Sequence, residues 1–125
     1  MKIMTSRFGE IEVAEDAVIH FAAGIPAFEK EHEFLIIPYG DDSPYSFLQS
    51  VKTPDLAFLM AMPHTFFPDY EVTIDDDVER ELALSSPDDV LIYAVLTLSG
   101  SNIRDLTANL IAPIVINART RKGKQ

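Results

Sequence analysis

LTANLIAPIVIN, residues 106–117, is an apolar run rich in β-forming residues with a proline at position 113. Proline cannot donate a hydrogen bond to a sheet ladder, so a strand that contains it must lie at a sheet edge or bulge at that point. A sheet edge carries unpaired N–H and C=O groups with which another chain can pair. The stretch therefore predicts a β fold whose last long strand is an edge or is bulged at Pro113, and which offers a place for another chain to dock.

The residues before this run favour strands almost throughout. Gly9 provides the positive φ for a tight turn between the first two, and glycine, proline and aspartate separate the others. Residues 75–84 differ, because Val78 and Leu82 fall on one face of a helix, and Pro87 can begin a second helical turn. We expect residues 1–125 to form one mainly β domain, a small antiparallel β-barrel-like fold with one or two short helices. The seven strand-like segments are KIMTS, GEIEV, VIHF, EFLIIPY, YSFLQSV, LAFLMAM and VLIYAVLTL.

Charge is distributed unevenly along the chain. The net charge is −10, but four of the ten basic residues lie within the last seven positions, so residues 1–118 carry six basic and 20 acidic residues, a net charge of −14. Such a body should repel nucleic acid and anionic membranes and attract basic protein surfaces. The alternative is that the acidity only keeps a small protein soluble. With no cysteine, no signal-peptide core and no apolar run of membrane-spanning length, we expect a cytoplasmic protein that binds neither membrane nor nucleic acid directly.

Catalytic and cofactor motifs are missing from the sequence. His20, His32 and His64 have no metal-ligand spacing, and the aspartate pairs and triplet suit turns and helix starts. There is no GxSxG, Walker A or GxGxxG motif. We therefore expect no enzyme activity, no cofactor and no metal. Two alternatives stay open: a small barrel metal-dependent enzyme assembled from distant strands, and a structural β protein that forms homo-oligomers through its final strand.

Five stretches, in the same order and over nearly the whole chain, together resemble the FliW family of flagellar assembly factors. They are FGEIEV, IHFAAGIPAFE, PYSFLQSVKTPDLAF, FFPDYE and LTANLIAPIVINARTRKGKQ. The resemblance implies a small barrel without enzymatic activity that binds flagellin in the cytoplasm as a chaperone. It also implies binding to the translational regulator CsrA, which relieves repression of flagellin mRNA. Family members commonly continue beyond Gln125 with another short apolar segment, which favours a turn between strands for the basic tail.

Binding to CsrA predicts a role for the acidic helix. A regulator that holds RNA phosphates must present basic surface, and an acidic partner would be drawn to it. The segment that begins with three aspartates is the densest carboxylate cluster in the chain. We expect the CsrA-binding residues to be Asp75, Asp76, Asp77, Glu79 and Glu81.

Binding to flagellin requires an apolar surface or an open strand edge, because unassembled flagellin ends are amphipathic. The aromatic residues of MPHTFFPDY lie between two prolines, where they either fold back into the core or serve as binding anchors. The proline-containing run supplies the edge. We expect the flagellin-binding residues to be Phe66, Phe67, Tyr70, Asn109, Ile111 and Ile114, on a protein that is monomeric when free.

Overall fold

The computed structural model describes residues 1–25, 28–39, 43–63, 69, 74, 76–85, 87–98, 106–108 and 113–125. Within these ranges the chain is mainly β, with one short α-helix, α1 (Asp76–Glu81), and 3₁₀ turns at Glu15–Ala17 and Pro87–Asp89. The predicted helix and the second helical turn are therefore both present. The strands are β1 (Lys2–Thr5), β2 (Gly9–Glu12), β3 (Ile19–His20), β4 (Glu33–Pro38), β5 (Tyr45–Ser50), β6 (Ala57–Ala61), β7 (Val90–Leu98), β8 (Leu106–Ala108), β9 (Ile114–Asn117) and β10 (Lys122–Lys124).

Seven of these strands close into a barrel in the order β6-β5-β4-β3-β10-β9-β7, with β7 pairing back to β6. The β6–β7 contact that completes the ring joins Met60 to Val95 and Ala61 to Ala94. Neighbouring strands are antiparallel, except that β3 and β10 run parallel with Lys122 opposite His20. The expected small antiparallel barrel is confirmed, with one parallel pair that the sequence did not reveal.

Alternate residues of the barrel strands point inward, as the two-residue period of a strand requires. Phe34 on β4 is fully buried and meets Phe21 edge to face, with ring centroids 5.4 Å apart. Burial raises the pKa of the Tyr93 phenol on β7 above its ordinary value. The other core members are Ile19, Ile25, Leu48, Met60, Ile114 and Ile116.

The hairpin of β1 and β2 covers the outer face of the barrel, over β4 and β5. Its turn ends at Gly9, whose φ of 71° is the left-handed value expected from the sequence. Ile3 from β1 joins Val18 and Leu35 in a second, smaller core. Leu35 faces this outer core while its neighbour Phe34 faces the barrel interior, so β4 is covered on both faces.

The long apolar run forms two strands, β8 and β9, and both of them pair with β7. β8 places Ala108 opposite Leu96 of β7, and β9 places Ile114 opposite Tyr93 of the same strand. Five residues lie between Ala108 and Ile114, whereas two lie between their partners on β7. The β8–β9 side of the ladder therefore has three more residues than the β7 side. Pro113 directly precedes β9, where it does not have to donate to the ladder.

Strand β9 is not an edge, which corrects the expectation for its residues. It is hydrogen-bonded to β7 on one side and to β10 on the other, and all four of its residues are buried. Ile114 is fully buried in the core rather than presented to a partner. The basic tail explains the difference: residues 118–121 turn, as expected, and the chain then returns as β10 and covers the edge that β9 would have left open.

Candidate protein-binding surface

Helix α1 presents its carboxylates to solvent. Asp76, Asp77, Glu79 and Glu81 are all exposed, and the first three lie in the first turn, where the positive end of the helix dipole stabilises negative charge. Arg80 forms an ion pair with Asp77 one turn earlier. Asp75, the fifth predicted residue, lies outside the described residues. The four described carboxylates thus lie together on one exposed element.

The end of α1 is held by the turn between β9 and β10. Asn117 Nδ2 donates to Leu82 O at 2.7 Å and to Ala83 O at 3.1 Å. Thr120 Oγ1 donates to Leu82 O at 3.2 Å, and Arg119 Nη2 donates to Ala83 O at 3.1 Å. We call Asn117, Arg119 and Thr120 the C-terminal clasp. It satisfies the carbonyl groups that follow the last turn of the helix.

Asn117 is the central member of the clasp because it is fully buried and uses both ends of its amide. Its Oδ1 accepts hydrogen bonds from the backbone N–H of Arg119, at 2.9 Å, and of Thr120, at 3.2 Å. The same side chain therefore shapes the turn that follows β9 and fastens the end of α1 to the barrel. Leu82, whose carbonyl accepts from Asn117, is itself buried, with 1% of its surface exposed.

Two basic residues of the tail pair with carboxylates. Lys124 Nζ lies 2.7 Å from Glu81 Oε2, and Arg119 Nε lies 3.5 Å from Asp89 Oδ2. Glu81 is therefore partly neutralised, whereas Asp76 and Glu79 stand at the solvent-facing start of the helix. Sequence reasoning did not find this pairing. The reversal of charge sign at the C-terminus was its only signal.

A shallow pocket of about 310 Å³ lies beside the clasp, between α1 and the β3–β10 pair. His20, His32, Glu81 and Lys122 line it. His32 Nδ1 lies 2.9 Å from Phe21 O, so this ring is oriented by the backbone. In the described ranges no group of three or more histidine, aspartate or glutamate side chains is placed to hold a metal ion. His64, the third histidine of the sequence, lies outside those ranges.

Most residues predicted to bind flagellin, namely Phe66, Phe67, Tyr70, Asn109 and Ile111, lie outside the described residues. Their assignment stays a prediction.

Two exposed apolar side chains were not anticipated from the sequence. Met62 follows β6 directly and is 40% exposed, and Tyr39 at the end of β4 is 57% exposed. Both stand at strand ends, where the inward and outward alternation stops, so the period of the sequence did not predict their exposure.

The family of the chain is shown by comparison with known proteins. The sequence model of the FliW protein family matches residues 2–125. A flagellar assembly factor FliW from Geobacillus kaustophilus is 45% identical over 125 residues, which cover 100% of this chain and 85% of that protein. One from Moorella thermoacetica is 43% identical and is covered to 79% of its length. A crystal structure of the flagellar assembly factor FliW superposes with a TM-score of 0.90 at 41% identity, covering 100% of this chain and 86% of that one.

Among the described residues, no helix combines the length and the apolar character needed to span a bilayer.

Proposed function

Since this chain belongs to the FliW family of flagellar assembly factors, we propose that it acts in the cytoplasm by binding proteins rather than by catalysis, with flagellin and CsrA as its two partners. The matched relatives carry the name of an assembly factor, which describes a role in bringing proteins together. Flagellin and CsrA compete for the free protein, which is a monomer. Export of flagellin then releases it to remove CsrA from flagellin mRNA.

The exposed acidic face of α1 is the observation that carries the CsrA half of the proposal. An RNA-binding regulator needs basic surface to hold phosphates, and a protein of net charge −10 attracts it over long range. The clasp holds the helix end in one orientation, so the carboxylates meet a partner without first becoming ordered. Once docked, they also repel RNA phosphate nearby.

Charge reversal on α1 tests this half. Changing Asp76 and Glu79 to lysine should slow association with CsrA by roughly tenfold and flatten its dependence on salt, because steering by charge acts mainly on the association rate. The matched control reverses Glu15 and Asp16, an equally exposed acidic pair on the first 3₁₀ turn. Stopped-flow association rates at several salt concentrations give the answer. Equal slowing by both variants would mean that only total charge matters.

The flagellin half rests on apolar surface. Phe66, Phe67 and Tyr70 follow β6 in the sequence, a few positions after Met62, which is exposed. Aromatic side chains exposed there would extend the apolar surface that Met62 begins. Amphipathic ends of unassembled flagellin would find apolar contacts of this kind. Ile114 is left out of this proposal because it is part of the core.

Substitution of the rings tests the flagellin half. Phe66→Ser with Phe67→Ser should weaken flagellin affinity at least tenfold, since aromatic anchors dominate such interfaces. Met4→Ser, which removes an exposed apolar side chain from β1, serves as the control. Titration calorimetry gives the affinities, and thermal unfolding shows that each variant is folded. Undiminished flagellin affinity in a folded double variant would refute the assignment.

A further inference from the structure

Three side chains surround an aromatic ring on the outer face of β5. Phe47 lies opposite Ile37, which packs against the outer core, so Phe47 also faces outward. It meets Phe8, in the turn of the β1–β2 hairpin, and Tyr39, directly after β4, edge to face, with ring centroids 5.6 Å and 5.8 Å away. The Arg7 guanidinium lies over the Phe47 ring, 4.6 Å from its centre. We call Arg7, Phe8, Tyr39 and Phe47 the Phe47 platform.

Arg7 is an exposed cation that forms no ion pair and no side-chain hydrogen bond with any residue in the described ranges. Asp55 lines the same surface pocket as Arg7, but its carboxylate accepts from the Ser6 hydroxyl and is not paired with Arg7. A guanidinium that lies over a ring keeps its in-plane N–H groups available, and these match the two oxygens of a carboxylate. Four other basic side chains already have a carboxylate partner: Lys2, Arg80, Arg119 and Lys124.

Tyr39 adds an exposed aromatic surface to the same platform. Its side chain is 57% exposed, whereas the Phe47 ring that it contacts is only 7% exposed. Contact with this buried ring restricts both Tyr39 and Arg7, so a partner would not have to order them on binding. Tyrosine and arginine are also enriched among the residues that dominate protein interfaces. The platform therefore combines donors for a carboxylate with an apolar surface, and both are in place in the free protein.

From this combination we infer that the Phe47 platform binds an aspartate or glutamate side chain of a partner polypeptide, with a neighbouring apolar residue of that partner against Tyr39. The carboxylate accepts from Arg7. A single carboxylate in an otherwise neutral or basic segment adds little repulsion, whereas the many phosphates of an RNA would be repelled by a net charge of −10. A small free carboxylate would leave the Tyr39 ring exposed. The inference does not depend on which proteins bind α1 or the predicted aromatic residues.

Blocked tripeptides titrated into isotope-labelled protein and followed by NMR test the inference. The probes are acetyl-Phe-Xaa-Ala N-methylamides, with Xaa glutamate, glutamine or lysine, and acetyl-Ala-Glu-Ala N-methylamide. The Phe-Glu peptide should shift the Arg7 Nε–H and the backbone amides of Phe8 and Phe47. It should bind about fivefold more tightly than the Phe-Gln and Ala-Glu peptides. Equal binding of the glutamate, glutamine and lysine peptides, shifts confined to other residues, or no binding would overturn it.

Two further probes separate the possible sources of the anion. We expect acetate and a uridine oligonucleotide each to bind more weakly than the Phe-Glu peptide. Acetate that bound as tightly as the peptide would indicate a site for small anions. An oligonucleotide that bound more tightly would indicate an RNA surface, and either result would overturn the commitment to a polypeptide.

Substitutions assign the two contacts separately. Arg7→Gln should remove the preference for glutamate over glutamine, whereas Tyr39→Ser should keep that preference but weaken the Phe-Glu peptide about fivefold. Lys52→Gln removes one exposed positive charge from the turn after β5, outside the platform, and should change neither property. Thermal unfolding shows that each variant is folded. Retained preference for glutamate in a folded Arg7→Gln variant, or its equal loss in Lys52→Gln, would refute the site.

Discussion

Single residues decide how the acidic helix is attached. Asn117 is buried, yet each end of its amide has two partners: the donor meets the carbonyl oxygens of Leu82 and Ala83, and the acceptor meets two backbone N–H groups. An asparagine is the only side chain of this length that donates at one atom and accepts at the other. The position therefore demands asparagine for hydrogen bonding, although its strand neighbours are apolar.

Asn117→Asp tests this demand with almost no change of shape. The variant keeps the acceptor but turns a carboxylate toward two carbonyl oxygens, and an uncompensated buried charge should lower the free energy of unfolding by roughly 3–5 kcal/mol at pH 7. The folded state should raise the pKa of the new carboxyl, so stability relative to the wild type should recover as the pH falls through that raised value and the acid becomes neutral. Urea unfolding at pH 7 and pH 5 measures both effects.

The reverse exchange at the surface is the control for Asn117→Asp. Asp16→Asn changes one exposed group in the first 3₁₀ turn and should alter the free energy of unfolding by less than about 0.5 kcal/mol. A loss at Asn117→Asp no larger than this, or one that does not depend on pH, would show that the clasp contributes little to stability.

At the scale of elements, β10 is the strand that sequence reasoning did not find. Lys122–Lys124 is short and basic, and its alternation shows only in the burial of Gly123 between two more exposed lysines. The glycine is needed for space: a Cβ built there would lie 2.7 Å from Phe21 Cζ. β10 therefore runs directly over the ring of a core phenylalanine.

Gly123→Ala should accordingly lower the free energy of unfolding by about 1–3 kcal/mol, the usual cost of an added methyl group in a packed core. The cause is the Phe21 ring, so in a Phe21→Leu background the cost should fall by at least half. Urea unfolding of the two single variants and the double variant gives the free energies of unfolding that complete this double-mutant cycle. Strictly additive losses would show that the added methyl group does not act through Phe21.

The local elements could be predicted from sequence, and the long-range ones could not. The β1–β2 hairpin, the short helix and the turn at Pro87 each depend on neighbouring residues such as Gly9 and Leu82, and each is confirmed. The position of β9 depends on β10, which meets it from beyond a turn, and the parallel contact between Lys122 and His20 spans most of the chain. No period in the sequence encodes such a pairing, so the edge predicted for residues 114–116 is wrong, whereas β8, in the same run, pairs only with β7 among the described residues.

The candidate site shows the same division. Exposure of Asp76 and Glu79 at a helix start follows from their local pattern, and the structure places them there. The ion pair between Lys124 and Glu81 joins residues far apart in sequence, and only the reversal of charge sign at the C-terminus indicated it.

For the whole molecule, the C-terminal residues have two connected tasks. β10 closes the barrel between β3 and β9, and the turn before it holds α1. Because β10 pairs with both β3 and β9, neither of these two strands leaves an open edge with which another copy could pair, and among the described strands of the sheet β8 is the one with a single neighbour. The basic tail is thus part of the fold, and its charge complements the carboxylates beside it.

Deletion of residues 119–125 should open the barrel between β3 and β9 and release the end of α1. We expect a loss of most of the stability, loss of near-ultraviolet circular dichroism, and self-association through the exposed edges, measured by light scattering. The control keeps the backbone and the clasp and removes basic charge: Arg121→Gln, Lys122→Gln and Lys124→Gln together should cost at most about 1–2 kcal/mol, because exposed ion pairs contribute little. If this triple variant were as unstable as the deletion, charge rather than closure would hold the barrel together. A monomeric, stable deletion variant would instead show that the remaining strands close without β10.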